Sequence, residues 1–410
     1  MDVNQQVMSR ELQAENPTAT RGDLEKELNP VSYVGDLGLR LGDFWGNRVE
    51  SSCNAWFRGA HVYYVHAART AILQACSLLK LHGGDEVLVP AYNCGSEVDA
   101  LLEGGATVRF FRITRAGDID LEDLGKRITR ATKAVYIIHY FGFLQPLAAV
   151  ADLCKRKGLY LIEDCALSTL TEVEGCRIGR VGDLAVYNFP KVLPVPDGGA
   201  LVINNHDLLG RGWTLEPPGL RGVLVNAARL ARQGVLRALP NAWAKRLDGL
   251  IRTASGEEIE TGHGRREMPR SYYCDRSFSN RAISKFSAAS IRHSNFSDVR
   301  ARRRRHFSHL LDLLSKEPGV TPLYRVLPDG VCPLCFPILV GPARKVAYRL
   351  SSSSIPALPW WSGYNRRCLD WDAFPDACYL KDHVVTIPVH QQLSDSAIEC
   401  IAKKVGYCLR

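Results

Sequence analysis

The chain has 410 residues, 46% of them hydrophobic and 23% charged, and a formal net charge of +9. That length suits one large domain with a smaller companion, and the balance excludes a disordered or collagen-like chain. No apolar run reaches the roughly 18 residues of a membrane-spanning helix, while 13 scattered cysteines and a polar start at Met1–Gln6 predict a reducing, cytoplasmic setting.

Residues 1–47 are polar and irregular and are expected to form an N-terminal arm. Residues 48–275 read as a large domain. Helical apolar spacing runs over Thr70–Leu79, Glu97–Leu102 and Leu147–Lys157. Short strands are predicted at Glu86–Pro90, Thr107–Phe111, Ala134–Ile138, Leu159–Ile162, Leu184–Tyr187 and Ala200–Ile203. Strands alternating with helices imply crossover units and a mainly parallel, buried sheet, with ligands gathered at the carboxyl ends of its strands. From about 205 to 275 a helical insertion is expected. Its Val223–Leu250 pattern is amphipathic and basic, setting Leu230, Val235, Leu236 and Leu239 against Arg229, Arg232 and Arg237. Packing on its own domain or a partner subunit is the first reading; contact with a membrane surface is the lesser one.

Residues 276–410 read as a smaller C-terminal α/β domain, with an arginine-rich helix, strands within Cys332–Val340 and Val384–Pro388, and a final helix over Asp395–Val405. Cys332 and Cys335 lie inside an apolar run with no second pair or histidine at zinc-site spacing, so they read as buried strand residues and no metal site is expected.

Three placements carry chemistry. Glu163 and Asp164 follow a strand. Lys191 lies in a loop stiffened by Pro190, Pro194 and Pro196. Thr70 opens a helix after His66–Arg69, leaving backbone N–H groups for an anion. An amine, an acid and a helix-start anion site are the parts a pyridoxal 5'-phosphate enzyme requires, although each alone is an ordinary loop or cap feature.

The ordered set resembles the DegT/DnrJ/EryC1/StrS family of sugar aminotransferases. Gly84–Pro90 looks like the family's first strand motif, Asp118–Asp120 like the segment after its next strand, and His139–Gly142 like its histidine turn. Leu161–Ala166 looks like its acidic motif, Gly182–Lys191 like its lysine segment with Gly198 and Gly199 at matching distance, and Thr386–His390 like its C-terminal motif. The likeness is close over His66–Asn204 and looser over Asp275–Arg410. It implies the aspartate aminotransferase-like fold, type I of the pyridoxal phosphate enzymes: a large domain with a mainly parallel sheet plus a smaller C-terminal α/β domain.

By that resemblance Lys191 is the Schiff-base lysine and proton carrier, and Asp164 the partner of the pyridine nitrogen. Ala68, Arg69 and Thr70 form the phosphate turn, and Asn188 stands where the family usually has a phosphate-binding serine. The segment from Asp183 to Lys191 is two residues shorter than the family pattern. Cys94 replaces a ring-stacking aromatic, for which Tyr92 is the candidate substitute. Leu167 replaces a glutamine, for which Ser168 is the substitute donor. His139 reads as a structural histidine ahead of a catalytic one. Arg302–Arg305 reads as a solvated, salt-bridged helix face, with a phosphate contact as the second reading. Asn280 and Arg281 fall where the family reaches a partner's cofactor phosphate. Trp360 and Trp361 read as buried packing or as the substrate mouth.

The implied reaction moves an amino group from an amino acid, glutamate by analogy, to a keto sugar, nucleotide-linked or free, or to a cyclitol. The implied assembly is a homodimer with shared sites. Two other classes stay open. One is a non-catalytic partner protein of the same fold. The other is a nucleic-acid binder, ranked last because no recognised motif accompanies the charges.

Overall fold

The structure, a computed structural model, describes residues 37–39, 52–210, 214–239, 266–368 and 370–409. The expected N-terminal arm lies outside these except for Leu37–Leu39, as does the insertion over 240–265.

The strands of the main sheet are β1 (His61–Val65), β2 (Glu86–Pro90), β3 (Thr107–Phe111), β4 (Thr132–Ile138), β5 (Tyr160–Asp164), β8 (Leu184–Asn188) and β9 (Gly199–Ile203). Between β5 and β8 runs a small hairpin of β6 (Glu172–Val173) and β7 (Cys176–Arg177). The spatial order is β1-β9-β8-β5-β4-β2-β3. The five strands from β8 to β3 are parallel, and β9 and β1 close the sheet antiparallel. Central strands such as Val87–Val89 and Ala134–Ile137 are buried on both faces, so they read as continuous apolar runs with no alternation. The edge strand β1 was absent from the sequence reading, since His61–Val65 is mixed and half-buried.

Helices α1 (Ser52–Trp56), α2 (Ala68–Leu78), α3 (Ser96–Glu103), α4 (Leu121–Arg127) and α5 (Leu147–Lys157) accompany this sheet. The register sets Ile138 beside Asp164 and Asp164 beside Val186, so the carboxyl ends of β4, β5 and β8 form one rim. The insertion contributes α6 (Leu220–Ala238), which packs on its own chain: Asn226 Nδ2 donates to the Pro196 carbonyl at 2.9 Å, and the Leu39 N–H donates to Leu230 O at 3.0 Å.

Beyond the insertion, β10 (Arg266–Glu267) pairs with β14 (Gly363–Tyr364), followed by α7 (Lys285–His293) and α8 (Phe296–Leu314). A second sheet has the order β11 (Thr321–Pro322), β12 (Cys335–Leu339), β15 (Val384–Pro388), β13 (Leu358–Pro359), all antiparallel. Helices α9 (Ala343–Ser352), α10 (Pro375–His383) and α11 (Asp395–Leu409) cover it, and one hydrophobic core continues from Val65 to Cys408 through both sheets. Cys332 and Cys335 are free, buried thiols, and Cys335 begins β12. Among the described residues no helix is long and apolar enough to cross a membrane.

Candidate active site

At the rim formed by β4, β5 and β8 lies a cleft of about 560 Å³. The chain leaves β8 through a single 3₁₀ turn, Phe189–Lys191, whose second residue is proline. Phe189 N–H donates to Gly198 O at 3.0 Å and closes the loop, so Lys191 is set at the cleft wall. Lys191 Nζ makes no hydrogen bond or ion pair among the described residues.

The return of the loop fixes the start of α2. Gly198 N–H donates to His66 O at 2.7 Å. A Cβ on Gly199 would lie 2.6 Å from Ala67 C and 2.8 Å from Ala68 N, so only glycine lets the helix start abut β9. Asp197 pins the same corner: it accepts from Ser284 N at 2.8 Å, Ser284 Oγ at 2.6 Å and Ser287 Oγ, and its Oδ2 lies 3.2 Å from His66 Nδ1. Burial would raise the Asp197 carboxyl, but His66 and the two serines outweigh it and hold it below the usual range. Ala67, the N-cap of α2, makes no side-chain cap bond, so the first N–H groups of the helix are available to an anion.

Across the cleft, Asp164 ends β5 with its carboxylate held by neutral donors: Tyr136 Oη at 2.7 Å and Ala166 N at 2.8 Å. Burial and then Glu97 push this carboxyl above its ordinary range, against the pull of Lys191 and the two hydrogen bonds. Glu97, in the first turn of α3, lines the same cleft and accepts from Cys94 N at 2.9 Å and Cys94 Sγ at 2.5 Å. Burial and Glu97 push the Cys94 thiol up to about 12, so it stays a thiol at neutral pH.

His139 has a different task. Its Nδ1 accepts from Gln145 N at 3.1 Å, which places the proton on Nε2, 3.2 Å from Glu163 Oε2. Burial raises Glu163, but His139 and the N–H groups of Gly182 and Val181 outweigh it and hold the carboxyl low. Both side chains are wholly buried, so the pair is structural.

The remaining walls come from later in the chain. Met268, Pro269, Ser271 and Tyr272 form one side; Leu358–Gly363 form another, with Trp360 and Trp361 at the cleft surface. The sequence reading had preferred buried packing for the tryptophans. Both are in fact half-buried, and Trp361 also packs on Tyr92 and Tyr140. Beneath this wall Lys381, with no exposure, donates to the carbonyls of Asn93 at 2.6 Å and of Trp361 and Gly363 at 3.0 Å each.

Of the residues singled out from the sequence, Ala68, Arg69, Cys94, Asp164, Asn188 and Lys191 line this cleft. Thr70, Tyr92 and Ser168 do not. Thr70 borders a neighbouring pocket of about 330 Å³, because the helix turns its side chain away. Tyr92 is wholly buried, with its ring on Tyr140 and Trp361, so it is a core residue below the floor. Ser168 is buried, with its hydroxyl unpartnered among the described residues. The Arg69 side chain is tied to the carbonyls of Ser271 at 2.8 Å and Tyr273 at 2.9 Å, so its contribution to an anion is its backbone N–H.

In the arginine run only Arg303 departs from the solvated, salt-bridged face expected. Arg303 is buried, and its guanidinium donates to Gln391 Oε1, Leu334 O, Pro333 O and Val192 O. Arg302 pairs with Asp298, Arg304 with Asp329 and Arg305 with Asp395, mostly exposed ion pairs on the helix surface, so Arg303 alone clamps the interior. Arg281 pairs with Glu216 at 3.1 Å. Glu97, Tyr136, Lys381 and the Met268–Tyr272 wall were missed. Tyr136 carried a signal, since it lies in a buried strand beside the strand that ends in Asp164, and Glu97 lies three residues from Cys94; Lys381 and the Met268–Tyr272 wall depend on contacts too distant in sequence.

Comparison with known proteins follows the same geometry. Residues 41–230 match the DegT/DnrJ/EryC1/StrS aminotransferase family. GDP-perosamine synthase of Vibrio cholerae is 32% identical over 177 residues, 42% of this chain and 48% of that protein. The dTDP-4-dehydro-2,3,6-trideoxy-D-glucose 4-aminotransferase of Saccharopolyspora spinosa is 34% identical over 162 residues, 39% of this chain and 42% of that protein. The chain thus spans under half the length of these relatives. Helicobacter pylori PseC, an aminotransferase involved in the biosynthesis of pseudoaminic acid, shares the fold with a TM-score of 0.65, 18% identity and coverage of 93% of this chain and 99% of that one.

Proposed function

Because residues 41–230 match the DegT/DnrJ/EryC1/StrS aminotransferase family, we propose that the chain is a member of it and moves an amino group from an amino acid, glutamate by analogy, to a nucleotide-linked keto sugar. The observation that carries this reading is one cleft holding an unpartnered lysine, a buried carboxylate with only neutral donors, and an uncapped helix start.

These residues suit pyridoxal 5'-phosphate. A buried carboxylate raised by burial and by Glu97 lacks a cationic hydrogen-bond donor, which a protonated pyridine nitrogen provides. The backbone cradle of Ala67–Arg69, made possible by Gly199, suits a phosphate. Asn188, at the end of β8, makes no side-chain hydrogen bond among the described residues and offers an amide donor to the same group. When bound, the cofactor supplies an aldehyde that takes up amino groups and a ring that accepts electrons from the adjacent carbon. Lys191 Nζ then serves as the base that removes a proton from the donor's α-carbon and later returns one to the acceptor. Asp164 keeps the ring nitrogen protonated. Trp360, Trp361 and Tyr272 form the walls that exclude water.

The related proteins named above act on GDP- or dTDP-linked sugars by their names, which supports a nucleotide-linked acceptor. A homodimer belongs to the same reading and is checked by sedimentation. The central test is spectroscopic. The purified protein supplied with pyridoxal 5'-phosphate is expected to be yellow through a band absent in Lys191→Ala, and glutamate is expected to bleach it. A yellow protein that no amino donor bleaches supports the non-catalytic alternative, and a protein that binds no cofactor refutes both.

A further inference from the structure

Lys191 faces two cavities. Besides the cleft it lines a second chamber of about 400 Å³, bounded by α6, Pro190 and the end of β15 through His390. Leu358 and Trp360 also border both, so the two spaces adjoin across these three residues.

Their charges differ. The cleft lining carries Lys191 and Arg69 together with the carboxylates of Asp164 and Glu97, so its charges offset one another. The chamber is lined by Lys191, Arg229, Arg232, Arg303 and His390, with no aspartate or glutamate among its lining residues. Arg303 is committed to carbonyl oxygens and Gln391. Arg229 is exposed and makes no hydrogen bond or ion pair among the described residues. It stands three residues before Arg232 on α6, so the two guanidinium groups project from neighbouring positions of one helix face. Paired arginines in a concave, uniformly positive site select a phosphate oxyanion, because each guanidinium offers a planar fork of donors. The chamber's size is that of an ordinary ligand pocket.

We propose that this chamber seats the phosphate or diphosphate arm of the amino acceptor, with Arg229 and Arg232 as its contacts and the acceptor's carbonyl directed toward Lys191. The proposal rests on the aminotransferase reading above and assigns the two substrates to different sides of the lysine: the amino donor to the cleft, the acceptor's anion to the chamber. It gives the insertion helix a role in substrate choice.

The test uses the full chain loaded with pyridoxal 5'-phosphate and inorganic pyrophosphate as the probe, followed by calorimetry, with inorganic phosphate alongside. Pyrophosphate is expected to bind the wild type more tightly than phosphate, and Arg229→Ala to weaken it by about tenfold or more. Arg229→Lys should recover part of that loss. Arg221→Ala, exposed on the same helix but outside the chamber, should match the wild type. Equal affinity in Arg229→Ala, absence of pyrophosphate binding by the wild type, or displacement of pyrophosphate by glutamate overturns the proposal. Bleaching of the yellow band by glutamate is measured separately on the wild type. Its failure refutes the aminotransferase reading whatever the anion titration gives.

Discussion

Lys381→Met isolates the cost of an ammonium with no exposure and three carbonyl partners but, among the described residues, no ion pair. Burial pushes its pKa down to about 8 from 10.5, although Cys94, Glu97, Cys378 and Asp382 pull the other way. Because the folded value lies below the unfolded one, the unfolded chain holds more protons between pH 8 and 10.5. Stability must therefore rise with pH across that window. At pH 7 nearly all of the penalty is present. By pH 9.5 most of the folded-state lysine is neutral, while the unfolded one is still largely charged. The difference between those two pH values is about 2 kcal/mol in favour of the wild type, at about 1.36 kcal/mol per pKa unit. Urea unfolding of both proteins at both pH values checks this, since other titrating groups cancel in the comparison. A gap between wild type and variant that stays constant, or that moves against the wild type as pH rises, refutes the reasoning.

Gly199→Ala drives a methyl into the backbone of Ala67 and Ala68, which cannot yield as a side chain does. A loss of about 2 kcal/mol in urea unfolding and weaker cofactor binding by absorbance titration are expected. Arg303→Met removes the guanidinium donor from the buried carbonyls of Pro333 and Leu334 and leaves that of Val192 with Gln391 Nε2 alone, and a loss of about 3 kcal/mol in chemical denaturation is expected. Tyr136→Phe removes one of the two donors to Asp164 and raises that carboxyl further, so cofactor affinity should fall about tenfold in the same absorbance titration.

Several elements were legible because their information is local. Glu86–Pro90, Thr107–Phe111, Leu147–Lys157 and Val384–Pro388 have the predicted bounds, since a buried strand or amphipathic helix writes its burial into consecutive residues. Asp164 and Lys191 were legible as residues just past strand ends. What escaped depends on long-range closure. Lys381 is an ordinary helical lysine until the loops carrying Asn93 and Trp361 converge on it. Arg303 reads as one of four solvated arginines until the lysine loop and Gln391 surround it. Tyr92 follows a strand, the usual place for a site residue, yet the wall carrying Trp361 covers its ring. Of the apolar face expected for the insertion helix, Leu236 is buried and Leu230 and Leu239 are half-buried, while Val235 stays exposed together with Leu220, Leu224 and Val225.

The Arg303 clamp also bears on the order of events during synthesis. The carbonyl next after Lys191, that of Val192, is held by a guanidinium 111 residues downstream and by an amide, Gln391 Nε2, 199 residues downstream. The main sheet and its lysine loop leave the ribosome long before either group exists. Until α8 and the segment after β15 arrive, nothing from that quarter fixes the lysine's backbone. A nascent chain can therefore form the parallel sheet early and still have an unset Lys191, so cofactor capture should report completion of the second sheet and its clamp, and trail the folding of the first.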